Sequence, residues 1–135
     1  MGPFWDKARL GAPAVSAGPQ GLPWLRDFLN ACRPRQCKID FVPVHWYGDC
    51  SNPDWFKNHI NDAHGAGENR MVWVTEFGCK GNSEDQIVNF FRNVLPWLDG
   101  QDFIERYSYF MARPGEMLNS DGNSLNGVGW AYATI

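Results

Sequence analysis

Apolar positions along this chain switch repeatedly between two spacings. From Gly21 to Cys32, Leu22, Leu25, Phe28, Leu29 and Cys32 recur at the spacing of one helix face, which predicts an amphipathic helix. The stretch KIDFVPVHWYG (38–48) is instead a short apolar run, and it predicts a strand that ends in a polar and aromatic cluster. Residues 52–67 return to a helix, with Asn52 at the N-cap and Pro53 at the first helical position. RMVWVTEFG (70–78) predicts the next strand. Residues 83–98 open with Ser83 and Gln86 at capping-box spacing, and Ile87, Phe90, Phe91, Val94 and Leu98 then form one apolar face. FIERYSYFMA (103–112) reads as a further strand, followed by a Gly- and Asn-rich loop and the tail GWAYATI. Ahead of them all, ARLGAPAVS (8–16) is a short apolar run broken by Gly and Pro, which predicts a strand with an irregular top.

Strand starts therefore recur roughly every 30 residues with a helix between each pair, the period of a βα unit, and this alternation implies a parallel sheet covered by helices. The 135 residues suit one domain with a real core. A closed (β/α)8 barrel takes roughly 250 residues. The expected α/β fold, over residues 1–135, is thus either a complete small sheet or about the last four βα units of a TIM-type barrel.

Functional groups of parallel α/β folds collect where the strands end. The first strand ends near Ser16, the second at His45, Trp46, Tyr47, Gly48 and Asp49, the third at Thr75 and Glu76, and the fourth at Tyr107 to Met111. Asp40 and Glu105 fall at strand beginnings, where the default role is structural. Alternation places Phe41, Pro43, His45 and Tyr47 on one side of their strand and Val72, Val74 and Glu76 on one side of theirs. With both sides turned inward, His45, Tyr47 and Glu76 converge on one rim, while Trp46 and Trp73 turn away into the core. A glutamate closing an apolar run is unusual, because Glu is rarely buried unless paired. Between a phenol that fixes its orientation and an imidazole that tunes its proton affinity, it suits a nucleophile or an acid. The plainer alternatives are a rim salt bridge for Glu76, a histidine satisfied by a backbone carbonyl for His45, and a core aromatic for Tyr47.

Composition narrows the partners. Aromatics make up 15% of the residues and include seven Trp, enough to line a sugar cleft by stacking on pyranose faces or simply to fill a core. A net charge of −3 offers no basic face to a phosphate backbone, so nucleic acid is not expected as a partner. No apolar run is long enough to span a membrane, and MGPFWDKARLGAPAVSAGPQ lacks the uninterrupted apolar segment of a signal peptide. Cys32, Cys37, Cys50 and Cys79 allow three complete pairings. Their spacing is not that of a zinc finger, and no metal or cofactor is expected.

DFVPVHWYG, VWVTEFGC and ERYSYFMA, in that order and spacing, resemble the fungal glycoside hydrolase catalytic core of the alkali-sensitive-linkage type. RLGAPAVS…GLPWLRDFL and the trailing Leu118, Asn119, Asp121, Gly122 and Tyr132 extend the resemblance over nearly the whole chain. That family is similar to TIM-barrel endo-β-1,3-glucanases that hydrolyse with retention. The resemblance implies that Glu76 is the nucleophile closing the seventh barrel strand. It further implies that Tyr47 holds Glu76, with His45 beside it, and that Tyr109 and Phe110 form part of a glucan-binding floor. The substrate partner would be the β-1,3-glucan of a fungal cell wall, and the location secreted or wall-associated.

One element of the family pattern is absent. Its acid/base glutamate sits in an Asn-Glu-Pro motif closing the fourth strand. This chain has no such motif, and neither Glu68, Glu84, Glu105 nor Glu116 closes a strand. The expectation is a C-terminal half-barrel with little or no hydrolysis of its own, whose two open sheet edges favour pairing with another chain. The alternatives are a glucan-binding or cell-wall protein without turnover and a non-functional fragment. Cys50 and Cys79, each just past a strand end on neighbouring strands, are expected to pair across the rim, and Cys32 and Cys37 to staple the loop between helix and strand.

Overall fold

Three strands, β1 (Phe41–Gly48), β2 (Met71–Cys79) and β3 (Ile104–Tyr109), lie side by side in that order and all parallel in the computed structural model, which describes residues 4–135. Helices α1 (Gly21–Cys32), α2 (Pro53–Ala66), α3 (Glu84–Asp99) and α4 (Gly127–Thr134) complete the chain. Local chemistry sets the helix starts. The Asn52 side chain accepts the Trp55 N–H at 3.3 Å ahead of Pro53. At α3 both arms of the capping box form, Gln86 N–H to Ser83 Oγ at 3.4 Å and Ser83 N–H to Gln86 Oε1 at 2.8 Å. None of the helices among the described residues is long and apolar enough to cross a membrane.

The run 8–16 does not become a regular strand. It follows β1 in parallel through single bridges, Gly11 to Phe41 and Val15 to Val44, with the His45 N–H donating to the Val15 carbonyl at 2.8 Å. Pro13 removes a donor from the middle of this ladder. The sheet is open: among the described residues β3 has no strand on its far side. The tail contributes a helix that the spacing did not announce. Asn126 caps α4 by accepting the Gly129 N–H at 2.9 Å, and Tyr132 Oη accepts the Tyr109 N–H at 3.2 Å, which ties the helix to β3.

One face of the sheet packs under the helices. Val42, Val44 and Trp46 of β1 and Val72, Val74 and Phe77 of β2 are fully buried there, with Phe56, Phe90 and Phe91 from α2 and α3. The alternation expected for β2 is overturned at one point. Val44 pairs with Val74, but His45 pairs with Glu76, so Thr75 is an extra residue and the parity of the strand reverses across it. Val72 and Val74 therefore face the helices and not the side that carries Glu76. Trp73 moves the other way. Expected in the core, it lies on the open face, where its ring stacks on Phe41 (centroids 3.8 Å) beneath the Arg106 guanidinium at 4.9 Å and donates to Glu105 at 2.7 Å.

Two disulfides, Cys32–Cys37 and Cys50–Cys79, cross-link the chain. The first closes the turn after α1. The second joins the loop that follows β1 to the last residue of β2, across a sequence separation of 29 residues. Loop-closure entropy makes the longer link the more stabilising, by roughly 3.5 against roughly 2 kcal/mol. A Cys50→Ala/Cys79→Ala variant is accordingly expected to lose more stability in urea than a Cys32→Ala/Cys37→Ala variant. Equal midpoints would contradict this ordering.

Candidate active site

β1 and β2 end level with each other, Gly48 beside Cys79, and their last inward-facing side chains meet. The Thr75 bulge brings Glu76 level with His45. The Tyr47 hydroxyl donates to Glu76 Oε2 at 2.7 Å, and His45 Nδ1 lies 3.5 Å from the same oxygen. All three groups belong to strand ends on the open face of the sheet, and the His45 and Glu76 side chains stay 28% and 32% exposed. The carboxylate is thus held through one oxygen while its side chain stays partly exposed.

Tyr47 is itself confined. Gly78 sits beside its ring, and a Cβ at that position would come within 3.0 Å of it, so the glycine of Thr-Glu-Phe-Gly leaves room for the phenol to lie across β2. Phe110 meets the ring edge-on at 6.0 Å, and the Lys80 ammonium lies 5.4 Å from its centroid. Burial, and then the hydrogen bond to the Glu76 carboxylate, push the Tyr47 hydroxyl well above its ordinary 10.0. Burial and the Asp99 carboxylate do the same to Tyr107.

A folded state that keeps these protons while the unfolded chain releases them loses stability as pH rises past 10. Alkaline unfolding is therefore expected to begin near pH 10 and to steepen above it. In a Glu76→Gln variant, ultraviolet difference titration should show one tyrosine ionising at lower pH than in the wild type. An unchanged titration curve would show that the carboxylate does not act on Tyr47.

Residues that the sequence did not single out lock this rim. Asn82 donates to Asp49 at 2.8 Å and accepts the Cys50 N–H at 3.0 Å, while the Lys80 N–H donates to the Gly48 carbonyl at 2.8 Å. With the Cys50–Cys79 bond, these contacts tie together the loops that begin just beyond Tyr47 and Glu76. Asn82 lies in a loop, and only the fold brings it to Asp49. The bonds from Asn82, and then from Ser51, hold the Asp49 carboxyl below the usual carboxylate range.

The expected floor divides. Tyr109 pairs with Phe77, so it shares the helix side of the sheet with that residue. It is 5% exposed, its ring edge-on to Phe91 at 4.8 Å and to Phe77 at 5.3 Å. A residue packed there belongs to the core and offers no surface to a sugar. Phe110 is the one at the rim, 39% exposed and against Tyr47. A cavity of about 350 Å³ opens beside Tyr47, lined by residues 16–18, His45, Tyr47, Trp55 and Lys80. A larger one of about 670 Å³ follows the unpaired edge of β3, between Trp73, Asp99 and Arg106. It is the groove left beside an edge strand, and it does not include Glu76.

Residues 1–132 match the family model described as the glycosyl hydrolase catalytic core. Alkali-sensitive linkage protein 1 of Schizosaccharomyces pombe is 39% identical over 108 residues, covering 75% of this chain and 19% of that protein. A curdlan-specific GH128 (subgroup III) exo-β-1,3-glucanase from Blastomyces gilchristii, solved with glucose, superposes with a TM-score of 0.85 at 43% identity, over 98% of this chain and 57% of its own. A mutant GH128 (subgroup I) endo-β-1,3-glucanase from Amycolatopsis mediterranei, solved with laminaritriose and laminaribiose, gives 0.81 at 28% identity over 93% and 58%. The chain thus spans 19% of the curated relative's length and a little over half of each glucanase chain.

Proposed function

The chain belongs to the glycosyl hydrolase catalytic core family, and on that premise we propose that it supplies the C-terminal βα units of a β-1,3-glucan-cleaving barrel with Glu76 as the nucleophile. The observation that carries this reading is the 2.7 Å hydrogen bond from Tyr47 to Glu76 at the C-terminal ends of two parallel strands. Tyr47 holds Oε2, which leaves Oε1 to attack the anomeric carbon. As that C–O bond forms, the glycosidic C–O bond breaks and its oxygen takes a proton from a second carboxylic acid. Water, deprotonated by the same acid's conjugate base, then releases the sugar with its configuration retained.

The second carboxyl must stand about 5–5.5 Å from the first and hold a proton at working pH. Four carboxylates of this chain already have partners of their own. Asp49 is held ionised by Asn82 and Ser51. Asp121 closes its own turn by accepting the Asn123 N–H at 2.9 Å, Glu116 pairs with Arg113 at 3.2 Å, and Glu105 is bound by Arg9 and Trp73 at the far end of the sheet. The acid/base therefore belongs to the part of the family fold that this chain does not span, the region in which an Asn-Glu-Pro motif would close the fourth strand. On its own the 135-residue chain should bind β-1,3-glucan and turn it over slowly or not at all. A glucan-binding wall protein without turnover is the second reading, favoured by the prior engagement of these four carboxylates. Secretion or wall association goes with either.

A fluorosugar tests Glu76 without needing the missing acid, because fluoride leaves unprotonated. A deoxyfluoro-glucosyl fluoride is expected to form a covalent adduct that peptide mapping places on Glu76. A chain that binds laminari-oligosaccharides yet yields no adduct, or one on another residue, would remove the nucleophile assignment and leave the binding reading standing.

A further inference from the structure

Trp55 is held firmly and yet left uncovered. It lies in the first turn of α2, its backbone N–H capped by Asn52 at 3.3 Å. Its ring rests edge-on against the fully buried Trp46, with centroids 5.2 Å apart. It also lies over Gly48, where a Cβ would come within 2.4 Å of the indole. An indole set against Trp46 and Gly48 gives up conformational freedom without being covered, and Trp55 remains 44% exposed. Trp55 lines the cavity of about 350 Å³ together with residues 16–18, His45, Tyr47 and Lys80. The volume is at the small end of the range of about 300–1,000 Å³ for ligand cavities.

The cavity neighbours the carboxylate, because two of its walls, His45 and Tyr47, are the residues that contact Glu76 Oε2. Among the described residues no carboxylate lines it, and Lys80 brings an ammonium to its wall. Such a lining suits a neutral, polyhydroxylated ligand with an apolar face. We propose that this cavity is a sugar subsite next to the one at Glu76, with Trp55 as the platform on which a further pyranose of a β-1,3-glucan chain stacks. Lys80 and Ser16 are placed to donate to the hydroxyls of that sugar. The subsite rests on the reading of Glu76 as a glucan site and extends it from one sugar to at least two.

The test measures binding of glucose, laminaribiose, laminaritriose and laminaritetraose to the 135-residue chain by titration calorimetry, with circular dichroism as the check on folding. Trp55→Ala is expected to weaken the longer oligosaccharides about tenfold, the scale of one lost aromatic stacking contact with its buried area, and to leave the shortest ligand bound unaffected. Trp55→Phe should recover most of the loss. If Trp55→Ala does not fold, Trp55→Leu, apolar but without an aromatic face, should show the same length-dependent loss. A loss that is equal at every length, or absent at every length, overturns the subsite alone. A wild-type chain that binds none of the four sugars overturns the glucan reading and the subsite with it.

Discussion

Glu76→Gln is expected to reduce β-1,3-glucan hydrolysis roughly 10³-fold or more in any assembly that also contains the acid/base, while leaving the fold in place. The substitution is nearly isosteric. The Gln carbonyl still accepts the Tyr47 hydroxyl, so the contact that now measures 2.7 Å survives as a neutral hydrogen bond. What disappears is the negative charge and, on the proposed mechanism, the oxygen that would attack. A suitable assembly is a chimera in which this chain replaces the matching 57% of the Blastomyces gilchristii enzyme, to which it superposes with a TM-score of 0.85. Curdlan hydrolysis by the chimera, and its loss in the variant at unchanged Tm, is the expected pair of results. Azide adds a second readout. With Glu76→Ala, azide entering the vacated space should attack the same carbon and yield an α-glucosyl azide. More than a tenth of the activity surviving in Glu76→Gln would sink the assignment.

The helices were legible because their signals are local. The caps at Asn52 and Ser83 are read from three or four neighbouring residues, and the structure forms both. The three regular strands were legible from the same short windows. The relation between strands was not, because pairing register is decided by partners some 30 residues away. Unbroken alternation along β2 grouped Val72 and Val74 with Glu76 and sent Trp73 into the core. The bulge at Thr75 reverses both placements and still leaves Glu76 on the open face beside Tyr47. Tyr109, placed in the floor by the family resemblance, has its side set by pairing with Phe77, which no short window shows. The eight residues of α4 carry too few turns for an apolar face to be read, and α4 is identified by its cap and by Tyr132.

The second large effect tests that bulge directly. Phe77→Ala is expected to cost about 3–5 kcal/mol, a large share of the roughly 5–15 kcal/mol that stabilises a domain. Phe77 is fully buried, and its ring lies 5.3 Å from both Phe56 and Tyr109 and 6.4 Å from both Phe90 and Tyr107. Removing it opens a cavity where α2, α3 and β3 meet, and these stiff rings can close it only in part. Trp73→Ala supplies the contrast. Unbroken alternation would place Trp73 and Phe77 on the same side, so the two truncations would cost alike. With the bulge, Trp73 lies on the open face against Phe41 and Arg106, and its loss should cost only about 1–2 kcal/mol. Urea midpoints of the two variants, compared at equal m-value, decide the matter. Phe77→Ala as mild as Trp73→Ala would mean that β2 runs without its bulge. Glu76 would then fall on the same side as Val72 and Val74, under the helices and out of reach of Tyr47.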